Sequence, residues 1–361
     1  MTINGYGVSG SNNGIYFHLP NTYIVSTSGN IALNATGGIQ LYYTDGATGT
    51  SPRIVTAGSG TIALDSTATI SLNSSYIQAE NGDVTIGGVN VSQVWGAYFK
   101  TTGAGDISVT ASTGNVSLGG NNVGGVWADG TGEILVSAGG NITVGNELRS
   151  TVGATLDATS GSVTLTNDGG DQANLAALVI NADTFVTSGT LTSLALANNG
   201  ALTINIASDS SSAAAVVGTD VTFTKAGNGT LVLSGANTYT GSTTISAGTL
   251  TVTGSLSNST AVTVASGATY NVNASDTVGS IAGAGTITTT ASSGTITLTA
   301  GNNDSTTSFT GVLQDGTSAT LALTKVGAGT LTLSGANTYT GATNINAGTL
   351  LQTGSLSSLT D

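Results

Sequence analysis

The sequence predicts an all-β chain wound as a right-handed parallel β-helix of about 20 residues per coil. Three observations lead there. A short word, Gly-x-apolar-x-apolar, recurs along most of the chain. Successive words often stand about one coil apart, as at Gly60, Gly82 and Gly105, or Gly140 and Gly161. One stretch also occurs twice, 100 residues apart: residues 225–257 and 325–357 share 25 of 33 positions without a gap. Self-similarity at a fixed period marks a stacked architecture in which each unit contacts its neighbours.

Each word reads as a turn followed by a short strand. Glycine supplies the positive φ of a tight turn. Alternation then sends Ile, Val or Leu to one face and Thr, Ser or Ala to the other. Residues 1–200 form the irregular region. Its words include Gly29-Asn-Ile-Ala-Leu33, Gly60-Thr-Ile-Ala-Leu64, Gly82-Asp-Val-Thr-Ile86, Gly105-Asp-Ile-Ser-Val109 and Gly140-Asn-Ile-Thr-Val144. Residues 1–130 hold 11 of the 17 aromatics, both prolines (Pro20, Pro52) and the sole His18, which reads as loops or side hairpins protruding from the coils. Gln172–Ile180 is the best helix candidate and equally suits a buried strand. Residues 201–361 form the regular region, with words at Gly229, Gly248, Gly294 and Gly329. Asn-Gly, the two-residue hairpin signature, occurs at Asn81-Gly82 and Asn199-Gly200, yet most turns between the words lack it, which argues against a β-meander. The expectation is one continuous solenoid. Leu231, Leu233, Ile245 and Leu250 should point inward, as should Leu331, Leu333, Ile345 and Leu350.

Composition narrows the chemistry. The chain is 39% hydrophobic and only 6% charged, with a net charge of −13 and five Lys and Arg in total. Ample Val, Ile and Leu argue against disorder. Nucleic acid is excluded as a partner, because phosphate backbones need clustered cations. Zero Cys removes disulfide, zinc-finger and thiol chemistry together.

The longer word G-x-G-T-L-x-L-S-G-x-N-T-Y-T-G-x-T-x-I-x-A-G-T-L, present in both copies, resembles the passenger-associated transport repeat of bacterial autotransporters. The remainder is similar in style to haemagglutinin-like exoproteins. The resemblance implies a parallel β-helix passenger on the outer surface of a Gram-negative cell, or secreted from it. It also implies a partner, an outer-membrane translocator in a missing part of the chain or on a separate one. Met1-Thr-Ile-Asn-Gly5 lacks the pattern of a signal peptide, and Leu356–Asp361 stops inside what would be the next coil. The expectation is therefore a piece of a longer exported chain, against the alternative of a complete cytoplasmic protein. Asn237, Tyr239 and Gly241, with their counterparts Asn337, Tyr339 and Gly341, read as structural: Asn laddering at a corner, Tyr covering the end of the apolar column. The resemblance gives the repeats a role in secretion or folding.

Candidate sites divide by chemistry. With one His and no Cys, nucleophilic triads are nearly excluded. Asp168 and Asp171 are the best local carboxylate pair for a glycan-active hydrolase, but an Asx-rich turn between strands is the favoured reading of them. No cofactor and no dedicated metal is expected, with incidental calcium left open at oxygen-rich turns such as Asn302-Asn-Asp304. Glycan contact is the favoured binding chemistry, because aromatic faces stack on sugar rings. Tyr42, Tyr43, Trp95, Tyr98 and Trp127 form the candidate platform, against the alternative that they fill the interior or staple loops. The functional expectation is a rigid adhesin stalk presenting a binding region, rather than an enzyme. The alternatives are a polysaccharide hydrolase or lyase on the same fold, and a structural filament or surface-layer component whose rods associate sideways.

Overall fold

The computed structural model describes residues 2–4, 15–17, 23–42, 52–94, 97–119, 124–145, 147–167, 174–189 and 191–356. The fold is all-β. Parallel strands stack as a β-solenoid of about 14 turns, about 22 residues apart, slightly longer than the expected coil. Among the described residues there is no helix. The chain divides into two compact units, Met1–Leu191 and Thr192–Asp361.

In the first unit most coils carry three strands. One coil runs through Arg53–Thr56, Ile62–Ser66 and Thr69–Asn73 before the next begins at Tyr76–Ala79. Corresponding strands pair in parallel and in register. Their alternation therefore builds continuous inward columns. Ile24, Ile54, Ile77, Phe99, Val126 and Leu148 form one. Ile31, Ile62, Val84, Ile107, Ile134 and Ala154 form another. All twelve are buried. At about 1.5–3 kcal/mol per buried large aliphatic or aromatic side chain, these columns are the main favourable contribution to each coil. Gln93 interrupts a third column, between Leu72 and Leu118, and its Nε2 donates to the Ala97 carbonyl. The sequence left a helix open near Gln172–Ile180. The described part of that segment is strand instead, with Ala177–Gly189 running beside Gly153–Asn167 and a register irregularity between Ala158 and Ser162. The long β-rich apolar run has a strand ready to receive it, and tertiary pairing overrides the short helical pattern.

In the second unit each copy of the long repeat contributes two stacked coils. Thr222–Ala226 pairs with Thr243–Ile245, and Thr230–Leu233 with Thr249–Val252. The second copy repeats this, with Thr320–Lys325 on Thr343–Ile345 and Thr330–Leu333 on Thr349–Gln352. Leu231, Leu233, Ile245 and Leu250 are fully buried, as are Leu331 and Leu333. Ile345 departs from the expectation: it is 55% exposed, and Leu350 is only half-buried. Among the described residues, their strands have a paired neighbour on one side only, so no further coil covers them. Gly241 and Gly341 are set by close approach between coils. A Cβ there would stand 2.3 Å from the Val221 carbonyl oxygen and 2.3 Å from that of Leu321, respectively.

Candidate functional site

The strands Arg53–Thr56, Tyr76–Ala79, Tyr98–Thr101, Gly125–Ala128 and Glu147–Ser150 lie side by side in one sheet of the first unit. Inward positions are apolar, so the intervening residues face outward. Two outward columns result. Tyr23, Arg53, Tyr76, Tyr98, Gly125 and Glu147 occupy one. Gln78, Lys100, Trp127 and Arg149 occupy the other.

Gly125 has no side chain, and the indole of Trp127 takes its place. A Cβ on Gly125 would meet Trp127 Nε1 at 2.3 Å. The lean brings Trp127 against Tyr98, with ring centroids 4.7 Å apart and an interplanar angle of 66°. Tyr98 in turn lies 6.0 Å from Tyr76, whose hydroxyl donates to Gln78 Oε1 at 2.6 Å. The result is a stacked ladder of three aromatic rings. Edge and tilted contacts of this kind are the preferred aromatic arrangements.

Cations sit on these rings. Arg53 lies 4.8 Å from the Tyr76 centroid. Trp127 carries Arg149 at 4.5 Å and Lys100 at 5.5 Å. Asp129 ties the last two together, at 2.9 Å from Lys100 Nζ and 2.6 Å from Arg149. Partial burial opposes its charge, but hydrogen bonds and the charges of Lys100 and Arg149 outweigh that and hold its carboxyl below the usual range. The Trp127 Nε1–H is buried and has no hydrogen-bond partner among the described residues.

Of the five residues expected to form the platform, the structure brings Tyr98 and Trp127 together. Tyr42 follows the strand Ile39–Leu41 in a different sheet and is 38% exposed. Tyr43 and Trp95 lie outside the described residues, as do His18, Asp168 and Asp171. Tyr76, Arg53, Lys100, Arg149 and Asp129 were missed. The signal for Arg53, Tyr76, Lys100 and Arg149 was available in Arg53-Ile-Val-Thr56, Tyr76-Ile-Gln-Ala79, Tyr98-Phe-Lys-Thr101, Gly125-Val-Trp-Ala128 and Glu147-Leu-Arg-Ser150, once written one above another.

The repeat residues are used internally. Asn237 is buried, and its Oδ1 accepts the Val216 N–H at 2.9 Å. Its Nδ2 donates to the carbonyls of Gly235 and Ser255 at 3.0 and 2.9 Å. Asn337 accepts from Leu313 at 2.9 Å and donates to Gly335 at 3.1 Å. The side chain thus bonds backbone of adjoining coils, where a ladder of stacked Asn side chains was expected. Tyr239 and Tyr339 are fully buried, with hydroxyls at 2.5 and 2.7 Å from Thr243 and Thr343 Oγ1. Lys225 and Lys325 are also buried. Each ammonium donates to three carbonyls: Ala226, Gly227 and Ala247 in one copy, Val326, Gly327 and Ala347 in the other. Desolvation pushes the Lys225 pKa down to about 8.

Residues 223–252 and 323–351 match the family described as passenger-associated-transport-repeat. The passenger repeats are thus the two pairs of braced coils. No curated protein and no solved structure matches the chain. Passenger repeats on a β-solenoid point to an autotransporter passenger, and the repeat family implies export to the cell surface or secretion.

Proposed function

We propose that this chain is a passenger segment of a bacterial surface adhesin or exoprotein, working as a rigid stalk that carries an attachment site for glycans of a cell surface, host or matrix. The Tyr76–Tyr98–Trp127 ladder is the observation that carries this reading. It is the place in the first unit where three aromatic rings gather on an outward sheet face. Glycan recognition favours such a face, with ring surfaces for apolar sugar faces and polar groups beside them for hydroxyls. In contrast, the polar side chains of the passenger repeats already bond backbone within the coils. The role is mechanical and adhesive rather than catalytic, with no cofactor. The partner for export is an outer-membrane translocator, in the same polypeptide or on another.

A glycan array probed with the full chain and with Tyr98→Ala tests this. Binding to a defined glycan set that falls at least about tenfold in the variant, equivalent to about 1.4 kcal/mol, supports the assignment. Equal binding by both proteins defeats it. Depolymerisation of a bound polysaccharide, lost in Asp168→Asn, would replace it with the enzyme reading.

A further inference from the structure

Positive charge is unevenly distributed over the protein. The sequence holds five Lys and Arg against 18 Asp and Glu. Lys225 and Lys325 are buried against carbonyls and present nothing to a ligand. The other three, Arg53, Lys100 and Arg149, occupy outward positions of a single sheet, on the aromatic ladder. On a strongly acidic protein this ladder is the place where an approaching anion meets concentrated positive charge.

The geometry also changes what the rings do. Trp127 lies between Lys100 of the preceding coil and Arg149 of the following one, so cations sit over its ring where a sugar face was expected to stack. Resting a guanidinium on a ring lowers its freedom while leaving its N–H edge directed elsewhere. Asp129 neutralises part of the Lys100–Arg149 pair. Arg53 has no ion-pair partner among the described residues. It is exposed and is held over Tyr76. A planar fork in that state suits bidentate capture of a carboxylate or sulfate.

We propose that the ladder takes acidic saccharides, with Arg53 as the residue that binds the anionic group and Tyr76 and Tyr98 as the neighbouring sugar contacts. This rests on the reading of the ladder as a glycan site. Successive outward residues repeat at the coil spacing of about 4.8 Å, comparable to the length of one pyranose along a chain. An extended acidic oligosaccharide running parallel to the solenoid axis therefore meets Arg53, Tyr76 and Tyr98 in succession.

The test uses the full chain on an array of uronate-, sialate- and sulfate-bearing glycans. Beside each stands its neutral counterpart, methyl-esterified, desialylated or desulfated. The expected result is at least about tenfold tighter binding to the acidic member of a pair, mostly lost near 1 M salt, where the Debye length is about 3 Å. Arg53→Gln should remove most of that preference, and Arg53→Lys should restore only part of it, since the charge returns without the fork. Equal binding to acidic and neutral members, or a preference unchanged in Arg53→Gln, overturns the acidic assignment and leaves the glycan site standing. Binding to no member of either class overturns both. Carboxylate and sulfate arms separate the two sources of the anion.

Discussion

Asn237→Ala should loosen three neighbouring coils while sparing distant ones. The Val216 N–H faces the following coil, where Asn237 Oδ1 accepts it at 2.9 Å. Truncation leaves that buried donor unsatisfied, at a cost of about 1–3 kcal/mol. The two carbonyls that Asn237 Nδ2 serves are less dependent on it. Gly235 also accepts from the Ser255 N–H, and Ser255 from the Asn237 N–H. Losing those side-chain bonds adds about 1 kcal/mol. A total of about 2–4 kcal/mol corresponds to roughly 30- to 1000-fold faster local opening. Hydrogen exchange on the full chain reads this directly, since a solenoid opens regionally. Acceleration should centre on residues 213–217 and 254–256. Thr238→Ala, one residue away and exposed, should change exchange little. Asn237→Asp should be no better than Ala, because it keeps the acceptor but turns a carboxylate oxygen toward two carbonyls. Acceleration by Asn237→Ala within twofold of the Thr238→Ala control, or spread evenly over all coils, would refute the bracing role.

Other perturbations follow from the same coils. Gly241→Ala places a Cβ 2.3 Å from the Val221 carbonyl oxygen, so the coils must separate; a melting temperature equal to wild type would contradict that contact. Burial raises the Asp276 pKa above the usual carboxylate range, against the opposing hydrogen bonds from the Leu256 and Thr277 N–H groups. The folded state then binds the extra proton, so this group favours folding at acid pH and loses that contribution as pH rises through the raised value. Hydrogen exchange near Leu256 should speed up, beyond its intrinsic pH dependence, as pH rises above the ordinary carboxylate value, and Asp276→Asn should flatten that excess; an unchanged profile in the variant counts against it. Lys225 behaves in the opposite sense. Its folded value of about 8 lies below the ordinary lysine value of about 10.4, so the unfolded chain binds more protons between them and stability rises with pH across that window. Lys225→Met should abolish the rise, and a wild-type profile in the variant would speak against it.

The fold was legible because its two signals are local and repeated. Period-two alternation gives the inward columns, and the recurrence of Gly-x-apolar-x-apolar gives the stacking. The candidate site was half legible. Aromatic concentration pointed to Tyr98 and Trp127, but it grouped them with Tyr42, Tyr43 and Trp95 by nearness in sequence. In a solenoid, neighbours lie one coil away, and coil length varies: Tyr76 aligns with Tyr98, 22 residues on, but Tyr98 aligns with Gly125, 27 residues on. That drift hid Tyr76 and the three cations. The tilt of Trp127 over Gly125 depends on the coil register and is invisible until the register is known. Lys225 and Lys325 were hidden for another reason. Lysine is almost never fully buried, and only the carbonyl cages at the coil corners make it tolerable here.

Binding by the ladder of the first unit and bracing by the passenger repeats of the second are separable, and one calorimetric comparison tests that division. The full chain, Tyr98→Ala and Asn237→Ala would each be titrated with the strongest acidic glycan found on the array. Hydrogen exchange would confirm that each variant is folded. The predicted result is that Tyr98→Ala loses at least about tenfold in affinity, or about 1.4 kcal/mol. Asn237→Ala, destabilised in its own coils, should bind like the unaltered chain. Full affinity in Tyr98→Ala, together with loss of binding in a folded Asn237→Ala, would contradict it and place recognition in the repeats.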